Sequence, residues 1–348
     1  MPSANNCHGC GFDFSGITMY TRWNMNSTVG NGKQMHLIGG SSHPELTAAL
    51  AKELKIKPCE VRINQFANGE ISVKLGESIR NDDVFVMQTH SRNVNDAIME
   101  QAIIIDTCKR SSAASITAVV PSLGYARQDR KSSGREPITA RLVVDILTAA
   151  GADRIVSVDL HAGQIQGFFS GPFDHLTGLP ILEEYAKEHF GLEDLVIVAP
   201  DAGRVKATER FSTALGCSMA IIHKQRSYVK HNTVEAKYLI GDVKGKHCII
   251  IDDMIDTAGT ICAAATILEE NGALDIYGMA THGVLSDPAI ERIEAAPFKK
   301  VVITDTLPLP KKSDKIEVLP IAPLLARAIE AIYQGDSVSA LFKGKNQS

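Results

Sequence analysis

The chain has 348 residues, with 36 Lys and Arg against 40 Asp and Glu, a formal charge of −4, and 44% hydrophobic residues. This is the composition of a globular protein long enough for two domains, and the near-neutral balance gives no electrostatic reason to expect nucleic-acid binding. No apolar run reaches the roughly 18–20 residues of a membrane helix, and seven scattered cysteines fit a reducing, cytoplasmic compartment better than a disulfide framework.

Residues 1–34 are rich in Asn, Gly and Ser and carry no apolar period, which predicts a disordered leader. Cys7-His8-Gly9-Cys10 has the spacing of half a zinc site, but no second pair follows at finger spacing. From Met35 onward short apolar runs alternate with amphipathic ones. Strands are predicted at 35–38, 84–88, 116–120, 154–158, 195–199, 219–223, 248–251 and 300–304. A helix over 43–54 follows Ser42, with Glu45 three residues on, which predicts a capping box. Helices at 139–150 and 264–271 stop at Gly151 and Gly272. Short strands alternating with helices predict mostly parallel sheets covered on both faces. Turn residues cluster at 172–180, so the expected domains are 35–175 and 176–325, followed by a C-terminal helix and tail at 326–348.

The most informative stretch is "CIIIDDMIDTAGT" (248–260). An apolar strand that stops at Asp252 and Asp253 delivers two carboxylates to the carboxyl end of a parallel sheet, where ligands gather. Adjacent carboxylates call for cations or hydroxyl donors. Asp256-Thr257-Ala258-Gly259-Thr260 then opens a helix, and small residues there let backbone N–H groups approach an anion. Physical reasoning alone reaches a sugar-phosphate site. The motif resembles the phosphoribosyl-pyrophosphate loop of type I phosphoribosyltransferases and ribose-phosphate pyrophosphokinases.

Other stretches separate these two groups. "PSLGYARQDRKSSGREPITAR" (121–141) is a basic, glycine-containing loop suited to a lid over polyphosphate. "DLHAGQIQGFF" places His161 just past a strand, "PDAGR" does the same for Asp201, and "HKQR" presents Lys224 and Arg226. With "FANGE" (66–70), these stretches resemble class I ribose-phosphate pyrophosphokinases over nearly the whole chain from Met35 to "GDSVSALF". A phosphoribosyltransferase, the alternative that consumes the product, shares only the loop at 252–260. A non-catalytic regulatory subunit would have lost the lid and lysine motifs, which are intact.

The resemblance implies two tandem type I phosphoribosyltransferase-like α/β domains and transfer of the diphosphoryl group of ATP to the 1-hydroxyl of ribose 5-phosphate. By the same resemblance, Asp252, Asp253, Asp256, Thr257, Ala258, Gly259 and Thr260, with Arg226, hold ribose 5-phosphate. Arg127 and Gln128 contact ATP from the lid. Phe66, Asn68, Gly69 and Glu70 form the adenine site, supplied by a neighbouring subunit of a hexamer. His161 and Asp201 match the Mg²⁺-associated positions, and Lys224 and Arg226 match the catalytic pair. The chain departs from the common family pattern at Arg204, Ala258 and Gly163. The last of these weakens any carry-over of the family's phosphate-activated, ADP-inhibited regulatory site.

Overall fold

The computed structural model describes residues 32–91, 93–191, 193–226 and 235–342. The expected leader therefore lies almost wholly outside the described residues. Two sheets form the body of the chain, and each is nearly all parallel.

The first sheet has the order β1 (Met35–Gly39), β4 (Asp83–Met87), β5 (Ser115–Val120), β6 (Arg154–Val158) and β7 (Phe173–Leu176), all parallel. Runs such as "SITAVV" are buried along almost their whole length, as expected of strands covered on both faces. On one face α2 (Val94–Arg110) and α3 (Thr139–Ala150) bury Ile98, Ile105, Val144 and Leu147. On the other, α1 (Pro44–Glu53) packs beside α8 (Ala322–Gln334) through Leu46, Leu50, Leu325 and Ile329. A separate hairpin, β2 (Val61–Gln65) and β3 (Ile71–Leu75), leans Val61, Ile63, Val73 and Leu75 on the first core.

The second sheet has the order β10 (Glu235–Ile240), β9 (Ser218–Arg226), β8 (Leu195–Ala199), β11 (His247–Ile255), β12 (Asp275–Gly283), β13 (Phe298–Thr304) and β14 (Ile316–Leu319). Only β10 runs antiparallel. Helices α4 (Leu179–His189) and α5 (Val205–Leu215) cover one face, and α6 (Gly259–Glu270) and α7 (Ala289–Ala295) cover the other.

Four expectations need correcting, three of them local and one of domain division. The residue capping α1 is His43, not Ser42: His43 Nδ1 accepts the Leu46 N–H at 3.4 Å, while Ser42 Oγ donates to Gln88 Oε1 at 2.6 Å. Proline at the first helical position fixes that start. The strand expected to end at Ile251 continues through both aspartates to Ile255. The helix after it starts at Gly259, five residues earlier than 264. The expected division at 175/176 falls inside β7, and α8, from the far end of the chain, covers the first sheet.

The two halves meet through a buried polar network. His282 on β12 faces Val158 O at 3.0 Å and Asp159 O at 3.2 Å, and Thr281 Oγ1 donates to Asp159 Oδ2 at 2.6 Å. Thr89 Oγ1 donates to Thr306 O at 2.7 Å. These contacts set the carboxyl ends of the two sheets against each other, which is where the candidate site lies.

Candidate active site

In the second sheet β8 pairs with β11 on one side and with β9 on the other, while β11 goes on to β12. The winding direction therefore reverses between β8 and β11, and a crevice opens beyond their carboxyl ends. Pairing of β11 with β8 stops at Ile250↔Val198, but pairing with β12 continues to Ile255↔Gly283. β11 thus carries Asp252 and Asp253 past the point where its neighbour has turned away.

The departing chain supplies the counter-charge. After β8, Asp201 Oδ1 accepts the Gly203 N–H at 2.8 Å and opens a single 3-10 turn at Ala202–Arg204. Arg204 then reaches back: its Nε lies 2.9 Å from Asp252 Oδ1 and its Nη2 lies 2.7 Å from Asp253 Oδ2. The first half contributes His161, whose Nδ1 is 2.7 Å from the same Asp253 oxygen and 3.0 Å from Arg204 Nη2. Asp253 Oδ1 accepts the Met254 N–H at 2.8 Å, and Asp252 Oδ1 accepts the Asp253 N–H at 2.9 Å.

This arrangement pushes the two carboxyls apart in acidity. Burial and the charge of Asp253 raise the pKa of Asp252 against the pull of Arg204. Burial also works against ionisation of Asp253, but the His161 hydrogen bond and the Arg204 charge outweigh it and hold that carboxyl below its ordinary range. A pair of acids split in this way offers one fixed negative charge beside a group able to exchange a proton.

Below the aspartates the chain turns through residues 256–260. Ala258 has φ +59° at the N-cap of α6, a left-handed conformation that lets the turn close before the helix begins. Thr257 O accepts from Arg292 Nη1 at 2.9 Å. Asp256 meets Arg127 of the basic loop, Nη1 to Oδ2 at 2.7 Å. Burial raises its pKa, but the Ser286 and Arg127 contacts prevail and lower it. Thr139 Oγ1 donates to Gln128 Oε1 at 2.6 Å and ties Gln128 to the start of α3.

Most of the expected residues are brought together. Arg127, His161, Asp201, Asp252, Asp253 and the 256–260 turn line one cavity of about 250 Å³. Arg127, Gln128 and Asp256 also line an adjoining cavity of about 360 Å³ that spans both halves. Phe66, Asn68, Gly69 and Glu70 stand elsewhere, at the tip of the β2–β3 hairpin, with Phe66 61% exposed. They line neither cavity. Lys224 and Arg226 are on β9, whose neighbour β8 leads to Asp201, but their side chains lie outside the described residues.

Arg204 is the main residue whose role sequence reasoning missed. It registered only as a departure in "PDAGR", although a cation three residues beyond a strand-end aspartate faces whatever the next central strand delivers. Ser286 and Arg292 left no local signal, because their partners are about 30 residues or more away.

Known proteins resemble the chain over most of its length. Residues 35–151 match the family described as the N-terminal domain of ribose phosphate pyrophosphokinase, and residues 229–343 match the phosphoribosyl synthetase-associated domain. The chain is 50% identical over 316 residues to the ribose-phosphate pyrophosphokinase of Corynebacterium efficiens, covering 90% of this chain and 97% of that protein. It is 52% identical over 310 residues to the enzyme of that name from Caldanaerobacter subterraneus subsp. tengcongensis, covering 88% and 98%. The crystal structure of phosphoribosylpyrophosphate synthetase from Mycobacterium smegmatis superposes with a TM-score of 0.83 at 49% identity, over 87% of this chain and all of that one. The chain belongs to the ribose-phosphate pyrophosphokinase family.

Proposed function

We propose that the chain is a ribose-phosphate diphosphokinase that works in the cytoplasm and makes phosphoribosyl pyrophosphate for nucleotide synthesis. The observation that carries this reading is the crevice between β8 and β11. There the carboxylates of Asp252 and Asp253, the 256–260 turn, His161 and the lid residue Arg127 line a single cavity.

In this reading the sugar hydroxyls of ribose 5-phosphate bind the Asp252 and Asp253 carboxylates. The 5-phosphate rests on the backbone amides of Thr257 to Thr260 at the start of α6, where amide dipoles favour an anion. Arg226 assists there. The 1-hydroxyl oxygen attacks the β-phosphorus of ATP. The bond from that phosphorus to the α–β bridging oxygen breaks, AMP leaves with the electron pair, and the hydroxyl proton is released. Transfer of this kind depends on alignment and charge neutralisation more than on a covalent nucleophile. Arg127 and Gln128 hold the polyphosphate from the lid, and Lys224 and Arg226 stabilise the transferring group.

The residues fit a Mg²⁺ ion. Asp201 uses Oδ1 for the Gly203 amide, so Oδ2 remains as the hard oxygen ligand that Mg²⁺ prefers. His161 faces Asp253 through Nδ1, so its Nε2 is the nitrogen that would help to hold a bound ion. When bound with ATP, Mg²⁺ neutralises charge on the polyphosphate.

The hairpin tip makes the adenine site for a neighbouring subunit of a homo-oligomer, a hexamer in the family pattern. Supporting this, Phe66 is exposed and the tip lines neither cavity at the carboxyl ends of its own chain. The test is direct: purified protein given ATP, Mg²⁺ and ribose 5-phosphate forms AMP and phosphoribosyl pyrophosphate in equal amounts. Failure to form AMP, or AMP formation that does not require ribose 5-phosphate, overturns the reading.

A further inference from the structure

At the other end of the first sheet, away from the crevice, four strand ends converge on a set of metal-type donors. His36 is the second residue of β1, Cys59 lies just before β2, Glu77 just after β3, and Asp82 just before β4. His36 Nδ1 is 3.2 Å from Cys59 Sγ, and donor atoms of His36, Cys59 and Glu77 all lie within 4.8 Å of one another. His36 and Cys59 are buried, whereas Glu77 is exposed.

We propose that His36, Cys59 and Glu77 bind a divalent ion of the zinc class at the root of the β2–β3 hairpin. Three features carry this inference. The first is orientation. His36 Nε2 is 2.9 Å from Asp82 Oδ2, and Asp82 Oδ1 accepts the Gln34 N–H at 2.9 Å. A carboxylate only accepts, so it places the imidazole proton on Nε2 and turns the lone pair of Nδ1 toward Cys59. A histidine backed by a carboxylate in this way is the usual support of a zinc ligand.

The second feature is distance. Bonds of about 2.05 Å to nitrogen and 2.3 Å to sulfur at a tetrahedral angle put those donors about 3.6 Å apart, within a few tenths of an ångström of the observed gap. The third is anchoring. Cys59 N donates to Leu37 O at 2.8 Å, and Glu60 N donates to Glu77 Oε1 at 3.3 Å, so the backbone holds the ligands in register.

The donor set selects the ion. One imidazole nitrogen, one thiolate and one carboxylate suit Zn²⁺ and disfavour Mg²⁺, which demands oxygen. A thiolate and a carboxylate balance the charge of a divalent ion, and exposure on the Glu77 side leaves the fourth position to water. The site is a staple rather than a reaction centre. It fastens the root of a hairpin whose tip, five residues of strand away, carries Phe66 to Glu70.

The full-length chain, reduced and stripped with a chelator, is titrated with Co²⁺. One ion per chain is expected to produce thiolate-to-cobalt charge-transfer absorption. Cobalt held in the crevice by oxygen and imidazole gives no such band. Cys59→Ser abolishes the band, whereas Cys7→Ser with Cys10→Ser leaves it unchanged. Glu77→Gln, an exposed change that spares the fold, weakens Co²⁺ binding at least about tenfold, and Asp82→Asn weakens it about 10–100-fold. Absence of the band, its loss only on changing Cys7 and Cys10, or unaltered affinity in Glu77→Gln overturns the proposal.

Discussion

Arg204 Nη2 lies 2.7 Å from Asp253 Oδ2 while Nε of the same side chain lies 2.9 Å from Asp252 Oδ1, so one guanidinium spans both carboxylates of β11. The side chains are 19% exposed for Arg204, 16% for Asp252 and 8% for Asp253, which places the pairing in a poorly screened environment. Removing one partner of a buried ion pair leaves an uncompensated charge and costs on the order of 3 kcal/mol. Arg204→Leu is therefore expected to lower the melting temperature and to raise KM for ribose 5-phosphate more than KM for ATP. Arg204→Lys keeps the charge but loses the two-pronged geometry, so it should fall between. Thermal melts and separate substrate titrations check this. A leucine variant with unchanged melting and unchanged KM values would mean the fork is incidental.

The contact of Arg127 with Asp256, which unlike the Arg204 fork joins the two halves, should behave differently. Arg127 is 57% exposed in this pair, so solvent screening limits its contribution to stability to about 1 kcal/mol or less. Its proposed role is at the polyphosphate, where losing one preorganised charge typically costs on the order of 100-fold in rate. Arg127→Ala should thus melt almost like the parent protein yet turn over about 100-fold more slowly. Comparable losses in both measurements would show that the residue is structural.

His90 supplies a pH dependence whose sign can be worked out. Its Nδ1 accepts the Gly124 N–H at 2.9 Å and its Nε2 faces Gln101 Oε1 at 3.0 Å, so the neutral ring fixes the start of the lid. Gly124 allows this approach, because a Cβ there would lie 2.6 Å from Val94 Cγ2. Burial pushes His90 down from its ordinary 6.5 to about 4, despite the opposing hydrogen bond to Gln101. The unfolded chain therefore takes up a proton before the folded one does. The contribution of His90 to stability is complete above about pH 6.5 and declines as pH falls toward about 4, by at most about 1.4 kcal/mol per pH unit. Melting of the parent protein and of His90→Gln, compared between about pH 7.5 and 5, should show the shallower acid-side decline in the variant. Parallel curves would assign the acid sensitivity to other groups.

Parts of this architecture are legible in the sequence for clear physical reasons. β6, β8 and α3 have the predicted bounds because their apolar period is unbroken and turn residues or Gly151 stop them. β12 escapes notice because Gly278 and polar Thr281 and His282 interrupt its pattern. Gly278 is small because a Cβ there would press on Ile261 at 2.9 Å, and His282 is buried to bind the other half. The strand end and turn at 252–260 are legible because their chemistry is local. The pairing of Arg204 with Asp252, of Arg127 with Asp256 and of α8 with α1 is not, because each depends on which elements the topology sets side by side.

The hairpin tip permits the sharpest test of assembly. Asn68-Gly69 is a strong signal for reversing the chain between two strands, and Gly69 has φ +92° there. A turn that only reverses the chain gives no reason for Phe66 to stand 61% exposed beside it. If the tip instead carries the purine in a partner's site, Phe66→Ala should fold normally and weaken ATP use, since stacking on a base is worth about 1–3 kcal/mol. Lys224→Ala should retain ATP binding but lose turnover by on the order of 100-fold. Random exchange of equal amounts of the two variants would join an intact tip to an intact cleft in about one quarter of sites. Activity should then recover well above that of either variant alone, in proportion to the extent of exchange. Mass measurement of isotopically labelled subunits establishes that exchange has taken place. Full exchange without recovery would place tip and cleft of each working site in one chain, and would leave the exposed phenylalanine to a packing role between subunits.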